Sequence, residues 1–156
     1  MDRFAVRASV VAGSLAAFLV GCAMSQAQMK AGSGDVVADR QRLMKLNGAN
    51  AKDLNDKVKA GQIEAMAVNA ETIAINAQHV PMLFPKGSLT DKSKAKPEIW
   101  QKWSEFEAAA KNMEVKAIEV RDAARAKDQA KVEALMKDFG RQACGTCHTP
   151  FRQPQQ

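Results

Sequence analysis

A chain of 156 residues with 46% apolar content can bury the core of one domain, and its net charge of +6 comes from 23 basic residues interspersed with 17 acidic ones. That dispersion is the pattern of a solvated surface and argues against a nucleic-acid-binding face. Three cysteines cannot build a disulfide framework for this length, while abundant alanine, no tyrosine and few glycines and prolines point to helix rather than sheet.

Residues 1–27 have the layout of a signal peptide. Arg3 and Arg7 precede an apolar run from Ala8 to Val20, about thirteen residues, against the roughly twenty that a membrane span needs. Two cleavage points compete. Ser25-Gln26-Ala27 fits the small-x-small rule and releases a soluble domain, 28–156. Leu19-Val20-Gly21-Cys22 resembles a bacterial lipoprotein signal ending before Cys22, which would then be lipidated. Export to the periplasm is expected either way, with membrane attachment only if Cys22 carries lipid. Loss of Asp2, Arg3 and Arg7 removes one positive charge and leaves about +5, a mild preference for acidic partners.

Apolar periodicity predicts four helices and requires no strand. The first covers about 35–59, with Val36, Val37, Leu43, Met44, Asn47, Ala51, Leu54 and Val58 inward. Gly48 inside it predicts a close approach to a neighbour, and Gly61 ends it after Lys57 and Lys59. The second spans about 62–79, with Ile63, Met66, Ala70, Ile73 and Ala77 on one face, and stops before Pro81 and Pro85. The stretch 81–96 is a long polar connection of the kind that crosses the top of a bundle. The third helix starts at Pro97; Ile99, Trp103, Phe106, Ala110, Met113, Ala117, Val120 and Ala124 alternate steps of four and three. The fourth covers about 127–148, with Val132, Leu135, Met136, Phe139, Ala143 and Cys147 inward, and Pro150 marks its end. Short turns at Gly61 and near Ala126 make neighbours antiparallel, so the fold expected is an all-α four-helix bundle.

The chemistry lies at the end of the chain. "CGTCH" places Cys144, Cys147 and His148 in the Cys-x-x-Cys-His spacing of c-type haem attachment. Two thiols three apart can each add to one vinyl group of a haem, and the adjacent histidine then faces the iron. Zinc would need four ligands, and the sequence offers no second cysteine pair and one other histidine, His79. A thioredoxin-like pair would need a βαβ setting, which the helical pattern denies. One covalent haem c per chain is expected.

Several stretches together resemble the class II cytochromes c, the four-helix-bundle group that includes cytochrome c prime: "DRQRLMKLNG", "VPMLFP", "KPEIWQKWSEF" and "CGTCHTPFR". The resemblance covers roughly residues 33–153, and attachment of haem near the C-terminus is itself characteristic of that class. It implies thioether bonds from Cys144 and Cys147 and proximal ligation by His148. It puts Arg152 near the proximal side, where the alternative is a solvated cation at the helix end. Arg40 matches the arginine preceding the distal residue, with a propionate or a surface role. Met44 falls at the distal position, as sixth ligand or as a packing residue.

The resemblance therefore carries two functional readings. With Met44 on the iron, a low-spin His/Met haem carries single electrons between redox partner proteins. With Met44 only packing, a five-coordinate iron binds NO or CO, for sensing or nitric oxide scavenging. Enzymatic turnover is not expected, since acid–base work would want a polar distal residue and Met44 lies between Leu43 and Lys45. Met66, Met113, Met136 and Met82 are expected to pack, and His79 is a weaker candidate for the axial position. Dimers through the first two helices are common in the class; Leu46 and Val68, outward and apolar, permit one.

Overall fold

The computed structural model describes residues 33–154; the signal segment, Cys22 and both cleavage points lie outside the described residues. Helix α1 (Val36–Lys59) starts at Asp35, whose carboxylate accepts from the N–H groups of Val37 and Ala38, and ends with Lys57 and Lys59 in its last turn. Both ends thus complement the helix dipole. Gly61 (φ +68) turns the chain, and α2 (Met66–His79) returns. After the 81–96 connection come α3 (Glu98–Gln101) and α4 (Trp103–Arg125). The C-terminal arm is built of α5 (Gln129–Met136), a π-helical stretch Gly140–Gly145, and α6 (Thr146–Phe151). α2 packs chiefly on α4, α1 on α2, and the C-terminal arm on α4, which gives the antiparallel four-helix bundle.

The apolar seams fall where the periodicity puts them, and they divide into two cores. One holds Leu54, Met66, Ile73, Met113, Val120, Val132, Met136 and Phe139. The other, around the 81–96 connection, holds Val80, Phe84, Ile99, Phe106, Ala110 and Phe151. In the second, Phe106 meets Phe84 edge-on with ring centres 4.8 Å apart and Phe151 likewise at 5.5 Å. The connection is held over this end of the bundle. Lys96 N–H donates to the Phe151 carbonyl (2.9 Å) and Gln153 N–H to the Lys94 carbonyl (2.8 Å).

Five expectations are corrected. The third helix breaks at Lys102 (φ −123, ψ 48), separating α3 from α4. The fourth is interrupted after Met136 and passes through the π-helical stretch. Pro150 lies inside α6, which ends one residue later at Phe151. Gly48 makes no close approach: a Cβ there would meet nothing within 4 Å. Met82 is 67% exposed and packs into neither core, whereas Met66, Met113 and Met136 are buried.

Candidate functional site

Against the second core lies a cleft of about 360 Å³, within the range of ligand sites. Met44 on α1 and Cys147, His148 and Phe151 on α6 share its lining with Arg40 and Phe84. A recess of about 100 Å³ extends it inward, lined by Met44 and Asn47 of α1, Met113 of α4, and Cys144, Cys147 and His148. The fold thus brings together Met44, Cys144, Cys147 and His148, which the sequence separates by some hundred residues.

The C-terminal arm explains how the thiols are presented. A π turn is wider than an α turn and rotates the face of the helix that follows it. Cys144 sits in the π-helical stretch and packs on the first core; Cys147, in α6, packs on the second. Both thiols line the recess, and Cys147 alone also reaches the cleft. Both are free and half-buried. Burial raises the Cys144 thiol, and burial together with the nearby Cys144 pushes Cys147 up to about 11. His148, half-buried, is lowered by burial and then by the positive charge of Arg152. Its imidazole is accordingly neutral near pH 7, the form that can donate a nitrogen lone pair to a metal.

Arg152 is exposed, lines the cleft beside His148, and gives its backbone N–H to the His148 carbonyl (3.0 Å). Arg40 is not a surface residue. It is buried, with Nη2 donating to the Ser88 carbonyl (3.0 Å) and hydroxyl (2.8 Å) and Nη1 to Ser93 Oγ (3.3 Å). Its Nε lies buried without a partner at the cleft wall. Burial lowers its pKa, partly offset by Asp35. His79 is exposed at the end of α2, where its Nδ1 lies 2.8 Å from the Ile75 carbonyl; it lines neither the cleft nor the recess.

Asn47 escaped the sequence reading as anything but an inward residue of α1. The structure places it in the recess, buried and one turn beyond Met44. The signal available was a polar side chain at an inward position of an otherwise apolar seam. Among the described residues, no three His, Cys, Asp or Glu side chains gather as a metal cluster, and no helix is long and apolar enough to cross a membrane.

The residues present fit a haem. Two unpaired thiols line the recess that opens off the apolar cleft, a neutral imidazole lines both, and a buried cationic N–H at the cleft wall lacks an acceptor. A helical bundle with this site is a class II c-type cytochrome.

Comparison with known proteins agrees. The sequence profile described as Cytochrome C' matches residues 35–152, and the chain belongs to that family, whose cofactor is covalently bound haem c. It is 38% identical to cytochrome c-556 of Agrobacterium fabrum over 143 residues, covering 88% of this chain and 92% of that one. Cytochrome c' of Pararhodospirillum photometricum is 33% identical over 73% of this chain and 93% of its own length. Among solved structures, a nitric oxide complex of a leucine variant of cytochrome c prime from Alcaligenes xylosoxidans superposes with a TM-score of 0.68 at 25% identity, covering 78% of this chain and 96% of the other.

Proposed function

We propose that this protein is a periplasmic one-electron carrier whose haem is attached through Cys144 and Cys147 and ligated by His148 and Met44. The observation that carries the reading is the position of Met44. This half-buried residue, on α1, lines both the cleft and the recess together with Cys147 and His148 of α6. When bound, the haem supplies a ferric/ferrous couple whose potential an axial methionine raises. Cys144 and Cys147 would hold the haem through thioether bonds, each formed by adding sulfur and hydrogen across one vinyl group, which would need no oxidant. The apolar walls exclude water, and Arg40 offers its unpartnered Nε–H to an anionic group such as a propionate.

The mouth of the cleft supports an acidic redox partner. Lys45, Lys94 and Arg152 line it, no carboxylate does, and among the described residues none of these three cations is in an ion pair. A homodimer through α1 and α2 is supported by the exposure of Leu46 (48%), Val68 (73%) and Ile75 (48%) on those helices.

The second reading, a five-coordinate gas binder, is favoured by the nitric oxide complex of the Alcaligenes relative. Absorption spectra of the purified haem protein, with and without carbon monoxide, separate the two. A low-spin spectrum indifferent to carbon monoxide belongs to the carrier; a high-spin spectrum that shifts with it belongs to the gas binder.

A further inference from the structure

Asn47 carries an unmet hydrogen-bonding demand inside the haem recess. It is 7% exposed. Its Oδ1 accepts from Asn76 Nδ2 across the α1–α2 interface at 2.8 Å, which fixes the plane of its carboxamide. Its own Nδ2 is buried and has no partner. Leaving a buried amide N–H without an acceptor forfeits its hydration with nothing in return. An apolar residue of similar shape would avoid that cost, so the amide needs an acceptor supplied within the recess.

The lining of the recess narrows the choice. Gly48, Ala51, Val80, Ala109, Ala110 and Ala143 offer no side-chain acceptor. What is left is sulfur on Met44, Met113, Cys144 and Cys147, and the ring of His148. The two cysteine sulfurs and the imidazole belong to the C-terminal arm, committed to attachment and ligation in the reading above. Met44 stands three residues before Asn47 on the same helix, the spacing that makes side chains neighbours on one face. A thioether sulfur is a weak acceptor with a lone pair to spare when its other lone pair faces a metal.

We infer that, once haem is bound, Asn47, oriented by Asn76, donates the N–H that is unpartnered in this structure to the thioether sulfur of Met44 and is the positioning residue for the distal iron ligand. This rests on Met44 being that ligand. The bond fixes which lone pair of the sulfur faces the iron. It also withdraws electron density from the sulfur, which weakens its support of the ferric state more than of the ferrous. Removing the donor therefore lowers the reduction potential and alters the sulfur-to-iron charge-transfer band. Met113, on α4, is the competing acceptor, and a bond to it would leave the ligand untouched.

The test uses the haem-loaded protein and its variants Asn47→Leu, Asn76→Leu and Asn69→Leu. Asn47→Leu is expected to shift the ferric sulfur-to-iron band and lower the midpoint potential. Asn76→Leu, acting from the other helix, should move both the same way by less, and it carries the test if Asn47→Leu does not fold. Asn69 bonds Asn50, Asp53 and Lys57 in the same interface but outside the recess. Its loss should cost stability and leave band and potential alone. Asn47→Ser, which keeps a donor, should recover part of the potential. A parent band that neither Asn47→Leu nor Asn76→Leu disturbs overturns this inference alone, as does an equal shift in Asn69→Leu. A parent protein without the sulfur band overturns it together with the His148/Met44 reading.

Discussion

The guanidinium carbon of Arg40 lies 4.3 Å from the centre of the Phe84 ring, and this contact ties α1 to the 81–96 connection over the cleft. The same guanidinium holds Ser88 and Ser93. One buried cation thus adds side-chain ties from α1 to the backbone bonds that hold the loop over the site.

Removal of that cation should be costly. Arg40→Leu forfeits charge-assisted bonds and the ring contact, and a loss of roughly 2 kcal/mol is expected in urea unfolding of the haem protein. Arg40→Lys should recover less than half of it, because an ammonium cannot span the two serines and the ring together. Equal stability of Arg40→Lys and the parent would contradict the fork geometry.

The aromatic cluster beneath the loop makes a separate prediction. Phe106 is 1% exposed and touches Phe84, Trp103 and Phe151. Phe106→Ala should cost roughly 3–5 kcal/mol in the same assay. A loss below about 1 kcal/mol would mean that the cluster collapses without strain.

The thiols are tested by attachment. In Cys144→Ser or Cys147→Ser alone, haem should stay on the chain through extraction with acidified organic solvent, held by the remaining thioether. The double variant should release all of it. Retention in the double variant would place attachment elsewhere.

The haem-free chain offers a pH test of the same residues. A thiol reacts as its anion, and the folded environment raises both pKa values, that of Cys147 to about 11. Alkylation by iodoacetamide at pH 8 should therefore be slow when folded and should accelerate as pH rises toward that value. In urea it should follow an ordinary thiol, near 8.5. Equal rates at pH 8 in the two states would show the thiols to be exposed.

The bundle and its metal-facing end were legible in the sequence for different reasons. Steps of three and four from Ile99 to Ala124 define a buried face whatever surrounds it, and Cys-x-x-Cys-His has few chemical uses. The interruptions were not legible. Apolar spacing runs evenly through Lys102 and past Met136, so it cannot show that the helix is broken or rewound there. Arg40 reads equally as a propionate partner or a surface cation until the 81–96 connection folds back upon it. Met82 misled in the opposite sense: it is apolar and lies between prolines, yet its turn points it to solvent. Asn47 was visible only as an inward polar residue, and its relation to Met44 emerges once both line one recess.

If Met44 and His148 hold the iron between them, the absorption spectrum of the purified haem protein before and after Met44→Ala will show it. The parent is then expected to be low-spin, with a ferric sulfur-to-iron band and no response of the ferrous form to carbon monoxide. Met44→Ala is expected to abolish the band and to bind carbon monoxide. A high-spin parent that binds carbon monoxide at once would contradict it and make Met44 a packing residue in a gas-binding site.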